Sequence, residues 1–245
     1  MRGHIIDTAN IKIGFSSVSD GNLSYARGLP TEVTASRSKY LSMQGIDPTK
    51  AVVISLVHGN LVVEVTNDDA GNLLNQDQQD VITADGLITS SPNLALFMVV
   101  ADCIPIVVYD TRLKILALVH AGRKGVELNI LSSAVKQMVQ KGSKPEDIII
   151  KTGPAIAPES YVFDNTTEID TDFWAGNLAY GSDKKYHMDT KNKLFEQALE
   201  LGIAKNNITI SAIDTFTNKN YFSHRRSFAT GEKEARFAAY AMIKN

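Results

Sequence analysis

Between residues 84 and 120 the chain carries four apolar runs in close succession, at 84–89, 94–100, 104–110 and 115–120. Their hydrophobicity is nearly continuous rather than alternating, which predicts strands buried on both faces. Three helical patterns flank this block and can cover it. Residues 126–140 place Leu128, Leu131, Val135, Met138 and Val139 on one face and end at Gly142. Residues 32–44 space Val33, Tyr40 and Leu41 at roughly helical intervals and stop at Gly45. Asp189 caps a helix running to Leu201, with Leu194, Phe195, Ala198 and Leu199 on one side and Gly202 as its stop.

Shorter strand signals lie at 11–16, 148–150, 161–163 and 208–213. Residues 51–57 and 61–65 are β-branched runs joined through His58, Gly59 and Asn60, which predicts a hairpin. Residues 17–30 and 66–82 are polar and predict loops, and the tail 235–243 suits helix or strand equally. No repeat, low-complexity tract or Pro-rich linker divides the 245 residues, so one domain with a mixed sheet is expected, its core supplied by an apolar content of 44%.

A net charge of −2 gives no general attraction to nucleic acid or anionic membranes. No apolar run is long enough to span a bilayer. The first 15 residues lack the pattern of a secretory signal. The single cysteine can form no intrachain disulfide. The expected location is the cytoplasm.

That cysteine, Cys103, follows one strand signal and precedes the next, in Ala-Asp-Cys-Ile-Pro. His120 ends the following strand signal, and His58 stands at the end of an upstream one. One thiolate and two imidazoles can form a three-ligand metal site or a thiol–imidazole pair. Zn²⁺ accepts such a set and keeps a fourth position for water or substrate. Asp102 is placed to orient a histidine from behind, while Asp85, in Ala-Asp-Gly, reads as a turn residue. His120-Ala-Gly-Arg-Lys-Gly125 lies between a strand and a helix start, where backbone amides with Arg123 and Lys124 suit an anion. Arg225 or Arg226, before Thr230-Gly231, could clamp a phosphate or carboxylate, although Arg226 is better read as paired with a surface carboxylate. His4 and His187 stand in terminal or polar contexts and carry no assigned role.

His58-Gly59, Ala84-Asp85-Gly86, Ala101-Asp102-Cys103 with Pro105, His120-Ala-Gly with Gly125, Gly153-Pro154 with Ile156, and Arg225-Arg226 near Thr230-Gly231 occur in an order that resembles the YfiH/laccase-domain family. Members are described as multicopper polyphenol oxidases and as purine nucleoside phosphorylases. The resemblance implies one domain over residues 1–245, with an α+β fold of mixed β-sheets flanked by helices, similar to the cytotoxic necrotising factor deamidases. It implies zinc held by His58, Cys103 and His120, which are also the catalytic residues, with copper as an alternative metal. It implies phosphorolysis of adenosine, inosine, guanosine and methylthioadenosine, and deamination of adenosine. Lys124, Arg225 and the glycine-rich turn would hold the phosphate. The expected partners are therefore small molecules, a purine nucleoside and phosphate, with no nucleic acid and no membrane.

The chain departs from the family pattern at several positions. Leu56 replaces a Gln, Arg123 and Lys124 replace Trp-Arg, Ala155 replaces a Cys, and Glu232 replaces an Arg whose place Arg236 could take.

Three other functions compete. Cys103 activated by His120 could be the nucleophile of an amide hydrolase or deamidase. A copper oxidase is another, but a laccase-type cluster needs several His-x-His pairs, and five histidines contain none. Two His and one Cys could hold a single blue-type copper with Met98 as axial ligand. A structural zinc in a non-enzymatic protein would need a fourth ligand, for which His224 is the spare candidate.

Overall fold

A computed structural model describes residues 4–76 and 81–245. Of the loop expected over 66–82, residues 77–80 lie outside that description. The chain begins with the antiparallel pair β1 (His4–Asp7) and β2 (Ile11–Phe15). Helix α1 (Pro30–Met43) has Pro30 at its first turn, where a missing N–H is harmless, and Gly45 follows its end at φ 68°. Then come β3 (Ala51–Ser55), β4 (Val62–Glu64), β5 (Ile82–Thr83) and β6 (Gly86–Thr89). The remaining apolar runs form β7 (Ala95–Val100), β8 (Ile104–Asp110) and β9 (Ile115–Ala121). Helices α2 (Arg123–Glu127) and α3 (Ile130–Gln140) lead into β10 (Ile148–Thr152), and β11 (Val162–Phe163), β12 (Leu178–Tyr180) and β13 (Tyr186–Met188) follow. Helix α4 (Thr190–Glu200), β14 (Ile208–Thr209), α5 (His224–Thr230) and β15 (Phe237–Ile243) complete the order.

The strands build two six-stranded sheets and one of three strands. The first runs β1-β2-β15-β7-β3-β5, the second β14-β10-β8-β9-β6-β4, and the small sheet is β11-β13-β12. Both large sheets mix parallel and antiparallel pairs. The expected α+β architecture with mixed sheets and flanking helices is the one observed.

Burial on both faces, read from 84–120, has a direct cause. Along β8, Ile104, Ile106 and Val108 enter a core shared with α3 and α4, while Val107 and Tyr109 enter a second core shared with the first sheet. Along β9 the split repeats, with Ala117 and Val119 on the helix side and Leu116 and Leu118 between the sheets. The outer face of the first sheet packs Val53, Phe97 and Tyr240 against Tyr40 and Leu41 of α1. The layers therefore run helix, sheet, sheet, helix. Each fully buried Leu or Ile in such a stack contributes ~1.5–3 kcal/mol.

The expected hairpin over 51–65 does not form. β3 pairs with β7 and β5 in the first sheet, whereas β4 pairs with β6 in the second. The chain crosses between sheets at His58, which takes a left-handed φ of 61°. It crosses again between β7 and β8, at Asp102 with φ 78°. The helix expected over 126–140 is broken at Asn129, φ 57°, into α2 and α3. The ambiguous tail is strand β15, hydrogen-bonded between β2 and β7. The signal at 208–213 yields only the two residues of β14.

Candidate metal centre between two cavities

The two crossovers and the end of β9 meet at one edge of the sheet stack. The register of β8 on β9 pairs Pro105 with His120 and Ile104 with Ala121, so Cys103 falls opposite Gly122. The first crossover carries His58 to the same place. One ligand atom from each of His58, Cys103 and His120 lies within 4.8 Å of the others. Cys103 Sγ is 3.9 Å from His58 Nε2, and the imidazole rings stand edge to face with centroids 4.9 Å apart. Among the described residues this is the one His/Cys/Asp/Glu set arranged to hold a metal ion. Its donors, two nitrogens and a sulfur, suit an ion with bonds of ~2.0–2.3 Å after a small inward movement. His58 is exposed, Cys103 half-buried and His120 buried, so the set opens to solvent on one side.

Asp85, expected to be a turn residue, organises this centre. It is fully buried, and its Oδ1 accepts the Nδ1 proton of His120 at 2.9 Å. That fixes the tautomer in which Nε2 is left for a ligand. The same carboxylate accepts the amides of His58 at 2.8 Å and Gly59 at 2.6 Å, holding the left-handed turn that delivers His58. The backbone closes the unit, since His120 N donates to Asp85 O at 2.7 Å. The tripeptide Ala-Asp-Gly carries no sign of this burial.

Asp102 does not orient a histidine. Its Oδ1 accepts from the Thr215 hydroxyl at 2.6 Å and its Oδ2 from Arg225 N at 2.6 Å. These bonds hold the strained backbone at Asp102 that presents Cys103. Gly122 is required by proximity: a Cβ there would lie 2.9 Å from His58 Cδ2 and 3.0 Å from Cys103 Sγ.

Burial pushes the Cys103 thiol up, but His120 and His58 beside it outweigh burial and leave it lowered to about 6. Burial pushes His120 down, but Cys103 and Asp85 raise it to about 9. Without a metal, the pair is a thiolate facing an imidazolium.

A cavity of about 520 Å³ opens over the centre, lined by His58, Cys103, Ile156, Tyr161, Lys124 and Arg225 among others. Both predicted cations, Lys124 and Arg225, thus stand in its wall. Arg225 is partly engaged there: one terminal nitrogen donates to Val162 O at 2.6 Å, and its guanidinium stacks on Tyr161 and Phe163 at 5.2 and 5.3 Å. Arg123 binds Glu127 and the carbonyl of Glu168. The helix after the glycine-rich turn is only α2, five residues, too short for the anion site expected at its start.

Arg226 is buried and structural, binding Glu232 at 2.7 Å and the carbonyls of Thr215, Phe216 and Tyr221. This gives the departure at Glu232 a role. Ala155 is buried in a bridge to Asp214. Met98 is buried in the core between the sheets and lines neither cavity at the centre, so it is no axial ligand. His224 is not part of the metal set and binds Glu234 through Nδ1 at 2.7 Å. His187 binds Asp183 and the carbonyl of Pro158. A second cavity, of about 430 Å³, also touches His58 and Cys103, reaches His120, and is lined by Leu56, Arg27, Arg37 and Arg236.

No helix among the described residues is long and apolar enough to cross a membrane. Residues 10–244 match the family model described as multi-copper polyphenol oxidoreductase laccase. The chain is 29% identical over 205 residues to a purine nucleoside phosphorylase of Corynebacterium glutamicum, covering 83% of this chain and 80% of that protein. It is 30% identical over 216 residues to a purine nucleoside phosphorylase of Mycobacterium tuberculosis, covering 88% and 81%. The crystal structure of YlmD from Geobacillus stearothermophilus superposes with a TM-score of 0.88 at 24% identity, covering 97% of this chain and 93% of that one.

Proposed function

Because the chain belongs to the family described as multi-copper polyphenol oxidoreductase laccase, we propose that it is a purine nucleoside phosphorylase with a second, adenosine deaminase activity at the same site. The substrates are adenosine, inosine, guanosine and methylthioadenosine, the whole chain 1–245 acts as one domain, and the setting is the cytoplasm. The names of its relatives support the reaction class. The observation that carries the reading is the cavity of about 520 Å³, with His58 and Cys103 beside Tyr161, Ile156 and Val57. An apolar and aromatic wall with a few converging polar groups fits a purine nucleoside.

His58, Cys103 and His120 are the residues that would hold a metal, and the donor set favours zinc, with copper the alternative. When bound, zinc supplies Lewis acidity toward water or a substrate oxygen. One three-ligand set does not match a cluster of several coppers, so polyphenol oxidation is the weaker reading of the family description.

The chain's own groups do the rest. Asp85 keeps the Nδ1 proton on His120, so Nε2 faces the centre. Lys124 and Arg225 contact the substrate from the cavity wall. In phosphorolysis a phosphate oxygen bonds to ribose C1′ as the C1′–N9 bond breaks. The electron pair stays on the purine, which takes up the proton that hydrogen phosphate loses. In deamination, water adds its oxygen to C6 of adenine, and the amino group leaves as ammonia with a proton from that water.

Zinc-loaded protein incubated with adenosine and phosphate is expected to form adenine and ribose 1-phosphate, or inosine. Formation of neither contradicts the reading. The thiol lowered to about 6 beside an imidazole raised to about 9 favours one other function, an amide hydrolase with Cys103 as nucleophile. A chelator separates the two, abolishing activity in the first and sparing it in the second.

A further inference from the structure

We propose that the second cavity, walled by Arg27, Arg37 and Arg236, is the binding site for inorganic phosphate, which reaches the metal centre from the side opposite the nucleoside. This deepens the phosphorylase reading and rests on it. The cavity of about 430 Å³ has three guanidinium groups and no carboxylate among its lining residues. It shares Ala101, His58, Cys103 and His224 with the first cavity, so ligands in the two meet at the centre.

Arg37 carries the argument. It is 2% exposed and has no carboxylate partner among the described residues. Nε donates to Leu23 O at 2.8 Å and one terminal nitrogen to Leu73 O at 2.7 Å, while the guanidinium lies 4.2 Å over the Tyr25 ring. Its other terminal nitrogen has no partner among the described residues. Burial pushes the guanidinium down to about 10, still charged at neutral pH. A buried cation without a counter-ion is destabilising unless an anion joins it.

The other two arginines are aimed by one carboxylate behind the wall. Glu234 forms an ion pair with Arg27 Nε at 3.1 Å and accepts hydrogen bonds from Arg236 and His224, each at 2.7 Å. Both terminal nitrogens of Arg27 remain unpartnered among the described residues. A single carboxylate thus positions two guanidinium groups and leaves the cluster net positive, as a phosphate dianion requires.

The first cavity is less suited to that dianion. Its Arg225 and Arg123 are held by carbonyls and Glu127, which leaves Lys124 as its remaining cation against three guanidinium groups in the second cavity, and its Tyr161 and Ile156 suit the purine and ribose. Phosphate on one side of C1′ and purine on the other also gives the in-line arrangement that forms the C1′–O bond as the C1′–N9 bond breaks.

Calorimetric titration of zinc-loaded protein with inorganic phosphate, adenosine 5′-monophosphate and adenosine tests the assignment. Arg27→Gln and Arg236→Gln are expected to weaken inorganic phosphate at least about tenfold, the loss of a charge-assisted hydrogen bond. Adenosine affinity stays within about twofold, and Lys124→Gln weakens adenosine instead. Loss of phosphate affinity in a protein that shows no phosphorolysis overturns the phosphorylase reading and upholds the anion site. Unchanged phosphate affinity in both arginine variants overturns the site. So does a loss confined to the monophosphate, which marks a nucleotide's phosphate rather than the free anion.

Discussion

Asp85 and His120 form a buried pair in which the carboxylate accepts the Nδ1 proton at 2.9 Å and the imidazole keeps Nε2 for the centre. Burial pushes Asp85 up, but His120 and the amides of Gly59 and His58 outweigh it and hold the carboxyl below its ordinary range. One side chain therefore sets two of the three candidate ligands, His120 by its ring and His58 by its backbone. Asp85→Asn is expected to lower zinc affinity by about 10–100-fold, measured by competition with a chromogenic chelator. It is also expected to destabilise the fold by ~1–3 kcal/mol, since the amide nitrogen replaces one of the two oxygens and leaves a buried donor without its acceptor. A variant that binds zinc as the wild type does would show that this carboxylate is structural only.

Gly122 gives a sharper steric test. A methyl group there would sit 2.9 Å from His58 and 3.0 Å from Cys103, closer than carbon normally approaches either atom. Gly122→Ala should displace those two side chains and abolish metal binding while leaving the circular dichroism spectrum unchanged. Full zinc occupancy in Gly122→Ala would contradict the packing described above.

The thiol offers a pH test. With Cys103 lowered to about 6 by its imidazole neighbours, alkylation of metal-stripped protein should rise through about pH 6. An unperturbed thiol titrates near ~8.5. Saturating zinc should suppress the reaction. A midpoint near the ordinary value would mean that the histidines do not face the sulfur.

Asp214 predicts acid lability away from the metal. Burial pushes its carboxyl up, but hydrogen bonds from Ser160, Thr217 and the amides of Ala157 and Phe216 hold it below the ordinary value. A folded-state pKa below the unfolded one stabilises the protein at pH values above the unfolded pKa of ~3.9. That contribution is lost as pH falls through the folded value. The gap in urea midpoint between wild type and Asp214→Asn should be full at pH 7 and shrink below about pH 4. A gap independent of pH would assign it to packing instead.

The three candidate ligands were legible as residues at or beside strand ends, but it was the resemblance to a known family, more than their spacing, that joined them into one set. The two-faced burial of β8 and β9 was legible for a local reason, unbroken hydrophobicity. What failed was non-local. His58, Gly59 and Asn60 look like a hairpin turn because nothing nearby reveals that Asp85, 27 residues away from His58, holds their amides. Asp85 itself looks like a turn residue, since Ala-Asp-Gly does not disclose burial. β12 and β13 are short and partly exposed, too weak in pattern to be seen. The arginines of the second cavity come from α1, the 3-10 turn Tyr25–Arg27 before it and the residue just before β15, so no local motif unites them.

The measurement that bears most directly on this account is elemental analysis of purified protein, wild type beside Cys103→Ala. One zinc per wild-type chain, lost in a folded Cys103→Ala, is the expected result. Undiminished metal in that variant, or several coppers per chain in the wild type, would contradict it.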